Sequence, residues 1–270
     1  KFNFLNITTN PNDIFDSDEI DTLVIATRHD SHCEYILKGL EKGKNIYVEK
    51  PLCLTLDELN RIKKCFLEMQ KISSNNILMV GYNRRFSPLV TKLKKYLDEI
   101  HEPKSFVFLC NSGYINPEHW VQDKLIGGGR IIGEACHFID LIRYLASSKI
   151  EKLSIDYLKG TLNRDSDSST IQINFENGST GTVHYLSNGS SLFPKERLEV
   201  FSESKTFRID NFKTLKAWGQ KGFRKKTLFK QDKGVDNSAK EFINSIKLGK
   251  VSPIPISEIF EVQKMILQAL

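Results

Sequence analysis

The sequence predicts an α/β unit built on a doubly wound parallel sheet, followed by an α+β unit with an open, largely antiparallel sheet. Two observations carry this. Up to about residue 101, short apolar runs alternate with amphipathic stretches of helical length, the pattern of parallel β-α-β packing. From about residue 103, runs with a period of two residues take over, separated by turn signals. The expected division is 1–101, a doubly wound unit lacking its first β-α-β part, and 102–270, a second unit closed by C-terminal helices.

Each element has a local reason. Leu23–Thr27 is an apolar run, expected to be a strand covered on both faces. Ser31 and Glu34 form a capping-box pattern for the helix that follows, and Gly43 is its stop. Asn45–Val48 is the next parallel strand. Thr55 and Glu58 make a second capping box, opening a helix to about Gln70, and "ILMVGY" gives a third strand. Ser87-Pro88 fits a cap followed by a first helical residue. Further on, "KSFVFLCNSG" reads as a strand, and Ile131, Ala135, Ile139, Ile142 and Leu145 have helical spacing. Alternating strands then run through "IEKLSIDYLKG", "STIQINFENGSTGTVHYLS" and "ERLEVFSESKTFRID", with Asn177-Gly178 as a hairpin turn. Amphipathic segments at about Asn237–Leu248 and Ser257–Leu270 follow.

With 270 residues, 40% hydrophobic and 27% charged, the chain is globular in composition. No apolar run approaches the roughly 20 residues that span a bilayer, so no membrane partner is expected. Five scattered cysteines, never in C-x-x-C, suit reduced thiols in a cytoplasm. The net charge of +6 is modest. Its densest basic stretch, Lys213–Gly234, carries Trp218, Phe223 and Phe229 but no recognition motif. Exposed strands with lysines that guard a sheet edge explain it better than nucleic-acid binding.

In open α/β sheets, ligands bind beyond the carboxyl ends of the parallel strands. Thr27–Asp30, Glu49–Pro51 and Gly81–Arg85 fall at three such ends. Charges that are costly within a sheet are tolerated where the strand emerges into a crevice. Lys50 there can donate to a bound hydroxyl, or serve as acid or base if desolvation lowers its pKa. Taken singly, a Glu-Lys pair at a strand end is equally a solvated turn, and His137 equally a satisfied core histidine. Trp120, after "YINPEH", reads as a sugar-stacking residue or a loop anchor. His29 and His32 have no carboxylate or cysteine cluster beside them, and no metal site is expected.

Three motifs in order, "VEKPL", "VGYNRRFSP" and "GGGRIIGEACHFIDLIRYL", resemble those of the Gfo/Idh/MocA oxidoreductases, and the likeness runs along nearly the whole chain. The wording of the third motif is similar to that of bi-domain oxidoreductases of surface-polysaccharide clusters, in which a zinc-alcohol-dehydrogenase-like domain comes first. The resemblance implies a partial Rossmann domain, an NAD or NADP cofactor, and hydride transfer to or from a hydroxyl carbon of a sugar, nucleotide sugar or cyclitol. It implies that Thr27, His29, Glu49, Lys50 and Asn83 contact the dinucleotide. Arg85, Tyr114, Trp120 and His137 would meet the substrate, and Lys50 and His137 would be the catalytic acid/base groups. It further implies a homo-oligomer formed through the C-terminal sheet. The alternative is a non-catalytic ligand-sensing or interaction protein that keeps the fold.

Two positions depart from the family pattern. His29 replaces a more usual Asn, and Gly133 stands where the family has an Asp four residues before the His. Glu134 and Asp140 lie three residues either side of His137, so either is expected to orient the imidazole and raise its pKa. The glycine-rich turn G-x-G-x-x-G does not precede Leu23, so by family alignment the chain begins near the third strand and is expected to be N-terminally truncated. Residues Phe2–Ile7 would then be frayed or re-paired, and the 270 residues alone would bind NAD(P) weakly.

Overall fold

The computed structural model describes residues 4–72, 76–159 and 165–270. A single short turn, α1 (Asn12–Phe15), precedes a three-stranded parallel sheet of β1 (Thr22–Ile25), β2 (Asn45–Val48) and β3 (Leu78–Val80), in that order. The crossovers are α2 (His32–Glu41) and α3 (Leu56–Ile72). After α4 (Pro88–Asp98) the chain enters an eight-stranded sheet. Its members are β4 (Ser105–Asn111), β5 (Ile150–Lys159), β6 (Asp165–Phe175), β7 (Thr180–Leu186), β8 (Glu196–Ser202), β9 (Lys205–Asp210), β10 (Thr214–Trp218) and β11 (Lys225–Thr227). The order is β11-β10-β9-β8-β4-β7-β6-β5, with only β4 and β7 parallel. This is the partial doubly wound sheet followed by an open, largely antiparallel one that the sequence predicts.

The helix α5 (Cys136–Ala146) lies across the inner face of the large sheet, where Phe138 stacks on Phe108 with ring centroids 4.5 Å apart. A turn of π-helix, Ile131–Ala135, leads into it, so the helical spacing read from Ile131 is real but wider at its start. The helices α6 (Val235–Lys247) and α7 (Ile256–Ala269) fold back under the small sheet. Phe242 meets Tyr47 edge-on at 5.4 Å, and Gln263 Nε2 donates to the Cys53 carbonyl at 2.8 Å. The second capping box forms as read: Glu58 N donates to Thr55 Oγ1 (3.1 Å) and Thr55 N to Glu58 Oε2 (3.1 Å). Gly178 takes the positive φ of the Asn177-Gly178 turn between β6 and β7. The basic stretch forms β10 and the exposed edge strand β11, and Phe223 is covered by Lys92 and Tyr96.

Three local expectations fail. The strand β1 ends at Ile25 and is covered on one face only: Leu23 and Ile25 are buried, but Val24 is 70% exposed. Among the described residues nothing packs on that face, and the outer edge of β1 has no strand partner. Ser31 does not cap α2. A 3-10 turn over His29–Ser31 runs straight into the helix, and the Ser31 hydroxyl turns back to the Arg28 carbonyl (2.8 Å). Pro88 opens α4 as predicted, but the Ser87 hydroxyl donates to the Asp232 carbonyl (2.8 Å) instead of capping it. Of the Phe2–Ile7 stretch, Phe2 and Asn3 lie outside the described residues, while Phe4, Leu5 and Ile7 are exposed.

Candidate active site

The hydrogen-bond ladder continues one step past the parallel strands. Glu49 N donates to the Ile25 carbonyl and Gly81 N to the Val48 carbonyl, both at 2.8 Å. This places the Glu49 side chain against Gly81, where an added Cβ would stand 3.2 Å from the carboxyl carbon and both oxygens. A side chain at position 81 would press on that carboxylate, which would have to give by a few tenths of an ångström. The half-buried Glu49 and Lys50 side chains have no hydrogen-bond or ion-pair partner among the described residues. The Lys50-Pro51 peptide is cis. His32 fastens this loop to the neighbouring one, its Nδ1 2.7 Å from the Pro51 carbonyl and its Nε2 3.2 Å from that of Thr27. The neutral ring carries one N–H for these two acceptors. Burial holds the His32 pKa below the ordinary imidazole value.

His29 is buried, with Nδ1 2.7 Å from the Gly127 carbonyl. The Trp120 ring meets it edge-on at 4.8 Å, and Arg28 lies 5.9 Å from the same indole. Trp120 is half-buried beside the strand ends, with its ring against His29. Burial, with a smaller contribution from the Lys50 charge, lowers the His29 pKa to about 4 against the pull of the Gly127 carbonyl. Thr27 is exposed, its hydroxyl paired with that of Ser31 at 2.6 Å. Tyr114 projects into solvent.

His137 opens α5, 6% exposed, with Nδ1 sealed from solvent and without a hydrogen-bond partner among the described residues. Burial and the charges of Arg84, Lys50, Lys233 and Lys195 hold its pKa well below the usual imidazole value. Lys50 thus acts electrostatically on His29, His32 and His137 alike, and these groups share one charged neighbourhood at the strand ends.

The two carboxylates expected to orient His137 are engaged elsewhere. Asp140 receives both Nε and Nη2 of Arg85 at 2.7 and 2.6 Å. Glu134 accepts from the Tyr185 hydroxyl and from Lys195 Nζ (2.9 Å), with Arg130 at 3.4 Å. Burial opposes ionisation of Glu134, but those donors together outweigh it and hold the pKa at about 2. The expectation that either residue raises the His137 pKa is therefore corrected: helical spacing put them on a shared face, but stronger donors claim both. Arg85, expected to meet the substrate, is instead engaged within the protein: its buried guanidinium binds Asp140 and Glu258, and Glu258 in turn holds Arg143 at 3.1 Å. Asn83 directs its Nδ2 to the Lys233 carbonyl (2.7 Å).

Sequence reasoning missed the residues that neutralise this region. Arg84, the neighbour of Arg85, donates twice to the fully buried Glu196 (2.9 and 3.0 Å), which also receives Lys233 at 2.6 Å. The adjacent arginines in "NRRF" were the one available signal. Their partners come from β8, α5 and α7, 112, 55 and 173 residues away, and carry no local mark.

The lowered histidine values give a pH prediction. Above about pH 6.5 these rings are neutral whether the chain is folded or not. As pH falls from there towards about 4, the unfolded chain binds protons that folded His29 refuses, so stability falls across that window. Glu134 adds its loss only lower, between about pH 4.5 and 2. Urea unfolding at about pH 7 and pH 5 should therefore show a clear drop for the wild type, and a smaller one for His29→Gln. Equal drops in both would mean that His29 takes up its proton in the folded state.

Comparison with known proteins completes the description. Residues 2–82 match the family model described as the oxidoreductase family with an NAD-binding Rossmann fold, and residues 97–208 match the GFO/IDH/MocA C-terminal domain. The chain is 28% identical over 183 residues to scyllo-inositol 2-dehydrogenase (NAD(+)) of Bacillus subtilis, covering 64% of this chain and 50% of that protein. It is 34% identical over 152 residues to the levoglucosan dehydrogenase of Pseudarthrobacter phenanthrenivorans, covering 54% and 38%. The match thus spans about half the length of these curated relatives or less. Among solved structures, an oxidoreductase domain protein of Kribbella flavida superposes with a TM-score of 0.83 at 19% identity, covering 97% of this chain and 80% of that one. A levoglucosan dehydrogenase in complex with NADH gives 0.81 at 22% identity, covering 97% and 81%. Two family models that follow one another along the chain, on a fold these structures share, lead to one conclusion: the chain belongs to the Gfo/Idh/MocA family of oxidoreductases.

Proposed function

We propose that the protein is an NAD- or NADP-dependent dehydrogenase that works on a CH–OH group of a carbohydrate-like molecule, a sugar, nucleotide sugar or cyclitol. One observation carries this reading: an unpaired, half-buried Lys50 stands in the same charged neighbourhood as a neutral His137, where parallel strands end. The dinucleotide fits the residues present at its nicotinamide end. The partnerless Glu49 carboxylate beside Gly81 can accept from ribose hydroxyls, with Thr27, Lys50 and Asn83 around it. Bound there, it supplies the hydride acceptor. Lys50 Nζ donates to the substrate hydroxyl oxygen, and Nε2 of His137, the ring nitrogen that is not sealed, takes the hydroxyl proton. The Lys50 cation, which no carboxylate neutralises among the described residues, stabilises negative charge developing on that oxygen.

The relatives named as inositol and levoglucosan dehydrogenases support the substrate class. The outer face of the large sheet, with Val107, Leu109 and the exposed Phe201, is the surface proposed for self-association. A ligand-sensing role without turnover is the second reading. It draws on Glu134 and Asp140 being committed to other partners, which leaves His137 with no carboxylate to orient it. The full-length native protein, offered inositols, levoglucosan and hexoses with NAD or NADP, should reduce the dinucleotide with at least one. Binding of dinucleotide and sugar without any reduction would decide for the sensor.

A further inference from the structure

The two departures from the family pattern meet in space. A Cβ built on Gly133 would lie 2.9 Å from Cε1 and 3.5 Å from Nδ1 of His29, although the two residues are far apart in sequence. The imidazole of His29 occupies the place that a side chain at position 133 would take. Position 133 belongs to the π-turn that feeds α5, and His137 begins the next turn, so the two imidazoles approach one stretch of the helix.

The His29 ring is fixed in orientation and in tautomer. A carbonyl oxygen only accepts, so at 2.7 Å from the Gly127 carbonyl Nδ1 must carry the proton. Trp120, edge-on at 4.8 Å, closes one side. Nε2 is then a bare acceptor, without a protein partner among the described residues and not sealed from solvent. The depressed pKa keeps it unprotonated near neutral pH. Lys50, Arg84, Lys195 and Lys233 act on His137 as positive charges, and of these Lys50 has no ion-pair partner among the described residues. In that company, an uncharged acceptor selects a ligand group that offers a proton. A polyol offers hydroxyls on the carbons next to the one that reacts.

We propose that His29 is a substrate-recognition residue: its ring fills the space beside Gly133, and its Nε2 accepts a hydrogen bond from a hydroxyl next to the reacting carbon. The inference rests on the dehydrogenase reading above and names a specificity contact within that site. Leaving a hydrogen-bonding site unmatched is what lets an enzyme reject an analogue that lacks the group.

The test uses the full-length native protein, the best substrate from the inositol, levoglucosan and hexose panel, and its deoxy analogue lacking a hydroxyl next to the reacting carbon. His29→Asn keeps an N–H for the Gly127 carbonyl and deletes the acceptor, whereas His29→Gln keeps an acceptor near Nε2 and deletes that donor. His29→Asn should lower kcat/KM for the parent compound about tenfold, the size of one hydrogen bond. It should leave the dinucleotide Kd unchanged and erase the preference for parent over deoxy compound, and His29→Gln should recover part of that preference. Gly133→Ala should also lower kcat/KM by pushing the ring aside, and should cost little more once His29→Asn has removed the ring.

Equal losses for parent and deoxy compounds overturn the inference, as does a change confined to dinucleotide affinity. Additivity of the two substitutions overturns the pairing with Gly133. Nitrogen NMR of the histidine rings gives a readout apart from turnover, and an Nε2–H tautomer for His29 would overturn the assignment. Turnover with unchanged preference removes this inference alone, whereas no turnover with any carbohydrate removes the dehydrogenase reading with it.

Discussion

Replacing Lys50 or His137 with alanine in the full-length native protein should lower kcat by about 10²–10⁴, the usual loss for an acid/base group. Thermal and urea midpoints should stay near wild type for Lys50→Ala, because the ammonium has no ion-pair partner among the described residues. His137→Ala deletes a buried ring 6.2 Å from Tyr82, so some loss of stability accompanies the loss of rate. The separation between the two effects is decisive. If Lys50→Ala retains full turnover, the acid/base assignment falls. If His137→Ala loses stability but keeps its rate, the ring is a core residue. The two losses should also be far from additive, since the groups serve one proton and one oxygen.

The second large effect concerns stability. Asp140→Ala should destabilise the fold by about 3–5 kcal/mol, the cost of leaving one partner of a buried ion pair unmatched. The Asp140 side chain is fully buried, and that of Arg85 is 4% exposed. Once the carboxylate is gone, only Glu258 remains to Arg85, and Arg143 competes for it at 3.1 Å. Replacing both partners, as Arg85→Met with Asp140→Leu, should recover most of the loss. Urea titration reads both results. Near-normal stability of Asp140→Ala with a collapsed kcat would restore Asp140 to the role of orienting His137, which its contacts deny it.

The sequence carried the fold well wherever one residue type answers a local demand. Asn177-Gly178 announces its hairpin, and Thr55 and Glu58 their reciprocal cap, because partner and signal lie within a few residues. Glu49 and Lys50 were legible by the same logic, as charges placed where a buried strand emerges. What was not legible depended on competition between distant groups. Helical spacing suggested a shared face for Glu134, His137 and Asp140, yet Lys195 and Arg85 bind the carboxylates more strongly than a neutral imidazole can. The failed cap at Ser31 has the same origin on a smaller scale, since the Arg28 carbonyl was the nearer partner. Gly133 looked like a simple loss in sequence. Only the position of His29 shows that the vacated volume is filled.

The return of α6 and α7 beneath the small sheet bears on how the chain reaches this state. Gln263 closes on the Cys53 carbonyl across 210 residues, and Glu258 closes on Arg85 across 173. Contacts of that span cannot help a nascent chain until α7 has been made, and closing such long loops slows the search. The three parallel strands would therefore wait, with their lower face open, for a floor supplied by the far end of the sequence. Such a species exposes apolar surface and depends on chaperones more than a locally folding domain does. On this account, substitutions in α7 that spare every group at the strand ends would still lower the yield of active protein, acting on the time spent half-built and not on the chemistry.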